Sequence, residues 1–103
     1  MNRERRREPR YLFLAETEVT NMSSDAKRSS QTSELSVSGC FIDTRDSAPA
    51  GTELRIRISP RNTTFTACGC VLSVIPDTGI SIAFTSIEPN QLPILEKWLP
   101  AAN

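Results

Sequence analysis

Two short groups of residues have the types and spacing needed to bind an anionic ligand. The first is Arg6-Arg7-Glu8-Pro9-Arg10, in which Arg6 and Arg10 form an R-x-x-x-R pattern. Arginines in such an arm can donate paired hydrogen bonds to phosphate or to guanine O6 and N7, and they can stack on a base. Pro9 biases the residue before it toward an extended conformation, so we expect a stiffened arm rather than a helix end.

The second group is Glu34-Leu35-Ser36-Val37-Ser38-Gly39, which places an acid, a hydroxyl and a glycine on a predicted turn between strands. The Ser36 hydroxyl can both donate and accept a hydrogen bond. Gly39 allows a ligand to approach the backbone closely. Considered separately, the first group is also typical of a solvated basic tail, and the second of an ordinary turn.

Charge and composition exclude several other functions. The chain has 12 basic and 12 acidic residues, but residues 1–10 hold five arginines against two glutamates. The remaining residues are therefore acidic in balance, which does not favour a general binder of nucleic acid polymers. Histidine is absent, and this excludes Ser-His-Asp and Cys-His catalysis and every histidine-ligated metal site. We expect no enzyme activity.

The apolar segments and the cysteines predict the compartment. The longest apolar run, 11–15, is far shorter than a membrane span, and no apolar segment typical of a secretory signal follows the basic start. Cys40, Cys68 and Cys70 are an odd number of cysteines, which favours reduced thiols. We predict a cytoplasmic protein without membrane insertion, in which the cysteines pack as small apolar side chains and bind no metal.

The elements that must position the two groups are mainly strands. Alternation of apolar and polar residues predicts half-buried strands, and polar or Pro/Gly-containing turns separate them. The predicted strands are 11–20, 27–35, 40–44, 52–58, 63–75 with a bulge or bend at Gly69, and 79–85. Leu92, Leu95 and Leu99 have helical spacing, with Asn90 as the predicted N-cap and Trp98 as a lid over the strands. This pattern is typical of a small barrel or a sandwich.

In this order, the two groups resemble the signature of the PilZ domain, the bacterial receptor module for cyclic di-GMP. That family pairs R-x-x-x-R with a downstream Asp or Asn followed by x-S-x-x-G. Arg6 and Arg10 match the first motif, and Ser36 and Gly39 match the second. Less specific likeness extends over nearly the whole chain and is clearest in 49–54, 69–74 and 79–85.

The resemblance implies an all-β fold with a C-terminal helix, namely a six-stranded antiparallel β-barrel of PilZ type. Residues 1–10 would form the basic arm that carries R-x-x-x-R, and 11–103 the barrel with a helix at about 90–99. It also implies that the ligand is cyclic di-GMP, that no cofactor is needed, and that binding changes the conformation or a protein partner's access. The implied contacts are Arg6, Arg10, Ser36 and Gly39, with Arg7 and Glu34 as further contacts.

One position departs from the family pattern, because Glu34 stands where the family has Asp or Asn. The extra methylene puts recognition of guanine on this side in question. An alternative is therefore a PilZ-type protein-interaction module with weak or no nucleotide binding. A second alternative is a small barrel that binds single-stranded nucleic acid, but this needs exposed aromatics on a basic face, and most of the six aromatics occupy predicted core positions.

Overall fold

The computed structural model describes residues 9–46 and 48–100, which form a closed antiparallel barrel and a C-terminal helix. Around the barrel the strands follow the order β1-β2-β3-β6-β5-β4, and β4 pairs with β1 to close it. The elements are β1 (Tyr11–Asn21), β2 (Lys27–Leu35), β3 (Gly39–Asp43), β4 (Glu53–Ser59), β5 (Phe65–Ile75), β6 (Gly79–Ser86) and α1 (Leu92–Trp98). The predicted six-stranded barrel with a C-terminal helix is confirmed.

Alternating apolar residues build the interior of the barrel. In β4, Leu54, Ile56 and Ile58 are buried, whereas the residues between them are exposed. The same alternation turns side chains inward along most of the other strands, and burial of this apolar surface is the main force that favours the closed barrel. The buried apolar residues are Ala15, Val19, Leu35, Cys40, Ile42, Leu54, Ile56, Ile58, Phe65, Ala67, Val71, Ile80, Ile82, Leu95 and Leu99.

Helix α1 closes one end of the barrel. Its Leu95 is fully buried, and the Trp98 ring stacks on Phe13 with ring centroids 5.2 Å apart and meets Phe65 edge-on at 6.0 Å. The predicted role of Trp98 as a lid is confirmed. Leu92, predicted to lie on the buried face, is instead 40% exposed. It is the first residue of the helix, and the next residue, Pro93, is exposed as well, so the buried face of α1 begins only at Leu95.

The helix begins later than the sequence predicts, and Asn90 is not its cap. The N-cap is Gln91, whose side chain makes no capping hydrogen bond. Its Oε1 atom instead accepts the backbone N–H of Thr66 at 2.9 Å, which ties the start of the helix to β5. This tertiary contact replaces the local cap that the sequence suggested. Among the residues described, no helix has the length and apolar character to cross a membrane.

Candidate functional site

Arg10 of the first motif and the second motif lie at the same end of the β1–β2 pair. Tyr11 lies opposite Leu35 in the register, so Arg10, just before β1, lies beside the turn that follows β2. Arg6 and Arg7 lie outside the described residues. The structure therefore brings Arg10 next to the second motif. The ligand contacts predicted for Arg6 and Arg7 stay predictions.

Arg10 and Glu34 form an ion pair. The Nε atom of Arg10 lies 3.5 Å from Oε1 of Glu34, and the two side chains remain 37% and 47% exposed. At this exposure the pair contributes at most about 1 kcal/mol to folding, since water and salt screen it. The pair matters more for the site than for stability, because it holds a cation and an anion side by side on the outer surface of the barrel.

A bulge in β2 determines where the Glu34 side chain points. Thr32 and Leu35 both face the interior and are fully buried, although they are three residues apart. The register between β2 and β3 shifts between Thr32 and Glu34, so Ser33 is the extra residue and both Ser33 and Glu34 face outward. The Ser33 hydroxyl donates to Asp43 at 2.8 Å. Bulges of this kind commonly reorient a side chain at a binding surface.

Ser36 is used by the turn itself. It is 5% exposed, and its hydroxyl oxygen accepts the backbone N–H of Ser38 at 3.2 Å and donates to the carbonyl of Gly39 at 3.4 Å. The Ser36 N–H donates to the same carbonyl at 2.9 Å. In this arrangement Ser36 shapes the turn that follows Glu34, and its predicted contact with a ligand stays a prediction.

Gly39 is required by the close approach of two strands. A Cβ atom at this position would lie 2.1 Å from the carbonyl oxygen of Ile82 on β6. The N–H of Phe84 on the same strand donates to the Ser38 carbonyl at 2.8 Å, which fixes the turn to β6. The glycine therefore has a structural reason to be at this position that is independent of any ligand.

Sequence reasoning missed two outward-facing side chains beside Glu34. In the register, Leu12 of β1 lies directly opposite Glu34 on one side and Phe41 of β3 directly opposite it on the other. Leu12 is 79% exposed and Phe41 is half-buried. The alternation within β1 placed Leu12 on the outer face, but only the pairing of the strands shows that it is a neighbour of Glu34.

The three cysteines differ in environment. Cys40 is buried in the barrel, and this burial raises the pKa of its thiol to about 12, since the thiolate is poorly solvated there. Cys68 and Cys70 are half-buried, and all three thiols are free. Within ranges 9–46 and 48–100, no group of three or more Cys, Asp or Glu side chains is arranged to hold a metal ion.

A protein-family model described as the PilZ domain matches residues 4–99 of the chain. No curated protein sequence matches this chain with significance. The matched range contains both predicted motifs, all six strands and the helix.

Three solved structures share the fold. The inhibitor of motility MotI/DgrA of Bacillus subtilis has a TM-score of 0.76 at 13% identity, covering 92% of this chain and 49% of that chain, so this chain spans about half of that protein. The PilZ domain of CeSA from a cellulose-synthesizing bacterium has a TM-score of 0.66 at 15% identity, covering 86% and 93%. The PilZ domain of YcgR from Escherichia coli, solved with cyclic di-GMP, has a TM-score of 0.69 at 17% identity, covering 92% and 88%.

Proposed function

Because the chain belongs to the PilZ domain family, we propose that it is a receptor module that binds cyclic di-GMP and passes the signal on to a protein partner. The observation that carries the proposal is the Arg10–Glu34 pair, which places a member of each motif within 3.5 Å of the other. YcgR from Escherichia coli, whose PilZ domain was solved with cyclic di-GMP, has the same fold. No catalytic step and no cofactor belong to the proposal, and the protein acts in the cytoplasm.

The chemistry of the pair suits this ligand. Cyclic di-GMP carries two phosphates and two guanines. The Arg10 guanidinium can donate to a phosphate or to guanine O6 and N7, and a carboxylate such as that of Glu34 can accept the N–H groups on the other guanine edge. Arg6 and Arg7 would add further donors from the arm. Ser36 and Gly39 shape the turn that follows Glu34. These two residues would therefore act chiefly by holding Glu34 in place beside Arg10.

The signal would be passed on through Arg10. A ligand that recruits this side chain must break or share its contact with Glu34, so binding alters the surface at the end of β1. A partner that recognises one of the two arrangements would respond to the ligand, because a ligand shifts an equilibrium in proportion to its preference for one state.

A second candidate function is a PilZ-type interaction module that binds its protein partner without a nucleotide. The ion pair itself favours this reading, since Glu34 already neutralises one arginine of the binding motif. The two readings differ in one measurement, which is the affinity for cyclic di-GMP.

Isothermal titration of the full chain with cyclic di-GMP tests the proposal, with GTP and cyclic GMP as control ligands. We expect saturable binding of cyclic di-GMP and binding of the controls that is at least about tenfold weaker, since each control offers only one guanine. No detectable heat with cyclic di-GMP at low salt, where electrostatic contacts are strongest, would favour the interaction module instead.

A further inference from the structure

The end of the barrel opposite helix α1 holds a cavity of about 280 Å³. The helix packs on Phe13 and Phe65, which lie near the starts of β1 and β5. The cavity is lined instead by residues from the end of β1 and from the starts of β2, β4 and β6. It therefore lies at the other end of β1 from Arg10, away from the candidate site.

The inner end of the cavity is apolar. Core side chains of β1, β3, β4 and β6 form it, and each is 9% exposed or less; they are Val19, Ile42, Leu54 and Ile80. Apolar cavities hold little water, so an aliphatic group that enters one gains contacts with the walls at little cost. Since one water molecule takes up about 30 Å³ of liquid, the cavity has room for roughly nine non-hydrogen atoms.

A pair of opposite charges lies at the mouth of this cavity. Arg28 and Asp46 both line it, and Nη1 of Arg28 donates to Oδ2 of Asp46 at 2.8 Å. The two side chains are 62% and 61% exposed. Because water screens such a pair, either group can take a ligand as its partner at small cost.

Hydrogen bonds hold both sides of the mouth in place. On one side, Oδ1 of Asn21 accepts the backbone N–H groups of Ser23 and Ser24 at 2.8 and 3.2 Å. On the other side, the N–H of Asp46 donates to Oγ1 of Thr44 at 3.0 Å. A mouth that is shaped before the ligand arrives loses little conformational entropy on binding.

The combination of charges and apolar walls selects the ligand. A carboxylic acid alone would bring a negative charge next to Asp46, and an amine alone would bring a positive charge next to Arg28. In an α-amino acid the two charged groups share one carbon atom, so their partners must lie side by side, as Arg28 and Asp46 do. We propose that this cavity binds a free α-amino acid with an aliphatic side chain, whose carboxylate pairs with Arg28, whose ammonium pairs with Asp46 and whose side chain enters the barrel. This inference goes beyond the proposed function and does not depend on it.

Four small probes separate the parts of the proposed ligand. L-leucine, which has nine non-hydrogen atoms, carries both charges and the apolar side chain. The compound 4-methylpentanoate lacks only the ammonium, 3-methylbutylamine lacks only the carboxylate, and glycine lacks the side chain. Titration of the full chain, followed by amide chemical shifts, should show saturable binding of leucine with shifts at the cavity. Each other probe should bind at least about tenfold more weakly, since it loses a charge-assisted contact or the apolar burial.

Three variants test the residues of the cavity. Arg28→Gln should weaken leucine binding by about tenfold, because the carboxylate loses its charged partner. Ala48→Met should weaken it by at least about as much, because Ala48 is a half-buried residue of the lining and a longer side chain there fills the space. Asp46→Asn should weaken leucine binding but leave the affinity for 4-methylpentanoate equal or higher, since the charge that repels this probe is gone.

Arg55→Gln is the matched control for Arg28→Gln. Arg55 is also an exposed arginine, but it lies on the outer face of β4 and outside the lining of the cavity. The Arg55→Gln variant should bind leucine like the wild type. Amide spectra that match the wild type away from the mouth show that each variant is folded.

The titrations decide the proposal in either direction. Saturable binding of leucine that decreases in Arg28→Gln and Ala48→Met, with the change of preference in Asp46→Asn, supports an amino acid site. The proposal is wrong if leucine causes no saturable shift, if glycine binds as tightly as leucine, or if Arg28→Gln and Ala48→Met bind leucine like the wild type. Because cyclic di-GMP is absent from these titrations, their outcome leaves the proposed function untouched.

Discussion

Nε of Arg10 lies 3.5 Å from Oε1 of Glu34, so a residue of the first motif has a partner in the second motif. The charges that would contact a nucleotide are thus positioned in advance, but they are also partly neutralised. In the proposed function, a ligand has to compete with Glu34 for the Arg10 guanidinium. This relationship decides how variants at the two positions should behave.

Arg10→Ala should weaken cyclic di-GMP binding by at least about tenfold, since a hydrogen bond to a charged group is worth about 1.5–3 kcal/mol. The free energy of unfolding should change by less than about 1 kcal/mol, because the ion pair is exposed. Titration and thermal unfolding measure the two effects.

Arg28→Ala is the matched control for Arg10→Ala. Arg28 also makes an exposed ion pair, at 2.8 Å to Asp46, but it lies near the opposite end of β2 from the site. The Arg28→Ala variant should retain wild-type affinity for cyclic di-GMP. If Arg10→Ala and the wild type bind cyclic di-GMP with equal affinity, Arg10 is not part of the ligand site.

Glu34→Asn and Glu34→Asp should both tighten binding by about fivefold, which corresponds to about 1 kcal/mol, the net value of one hydrogen bond. Asparagine keeps an acceptor oxygen but releases Arg10 from its ion pair and removes a charge near the phosphates. Aspartate shortens the side chain, so fewer bonds must be fixed on binding. Side-by-side titration at constant salt is the measurement. Weaker binding by both variants would mean that glutamate is adapted to the ligand here.

Gly39→Ala should destabilise the fold by at least about 3 kcal/mol, because the added methyl would lie 2.1 Å from a backbone carbonyl that cannot easily move. Chemical unfolding of Gly39→Ala and Gly51→Ala makes the comparison. Gly51 has a φ of +93° but open space around its Cβ position, so its variant should lose only about 1 kcal/mol from backbone strain. If Gly39→Ala is as stable as the wild type, the close approach of β3 and β6 is not what requires glycine.

Much of the barrel could be predicted because most strands have a regular alternation of apolar and polar residues. In β4 the buried set of Leu54, Ile56 and Ile58 matches the predicted inward face. The irregularity predicted at Gly69 is also present, since the β5–β6 register shifts between Cys68 and Gly69 and again after Val71. The local sequence pattern was sufficient to predict a strand and its buried face wherever apolar and polar residues alternate regularly.

Strand β2 shows why local pattern has limits. It contains only Thr32 and Leu35 as buried residues, and their spacing of three does not fit a regular strand. The bulge at Ser33 restores both to the interior, but bulges depend on the partner strand and leave little trace in the sequence. For the same reason the positions of Leu12 and Phe41 beside Glu34 needed the strand register, which is set by non-local pairing.

The candidate site was predictable in its motifs and less so in its geometry. Arg10 and Glu34 do lie together. Ser36, however, turns its hydroxyl toward its own turn and is buried. A serine at this position suits both turn formation and contact with a ligand, so the sequence could not show which of the two roles Ser36 has.

Cys40 should be the slowest of the three thiols to react with a thiol reagent at pH 8, since burial raises its pKa to about 12 and excludes the reagent. Because the folded-state pKa lies above the ordinary value of 9.0, the stabilisation is present below pH 9 and decreases as the pH rises from 9 toward 12. Cys40→Ala should show a smaller loss of unfolding free energy over that range. Equal losses in both proteins would contradict the assignment.

Thr17 and Thr32 form a hydroxyl pair inside the barrel, with their Oγ1 atoms 2.6 Å apart and both side chains buried. Thr17 donates its own proton to the carbonyl of Ala15 at 3.1 Å, so Thr32 is the donor to Thr17. Thr17→Val therefore leaves a buried donor unpaired and should cost about 1–3 kcal/mol, whereas Thr32→Val removes only a proton that Thr17 accepts and should cost less than about 1 kcal/mol. The double variant should be close to wild type, because both partners are replaced by apolar groups of the same shape. Denaturant unfolding of the four proteins gives this cycle, and a double variant whose loss equals or exceeds the sum of the single losses would show that the pair is not coupled in this way.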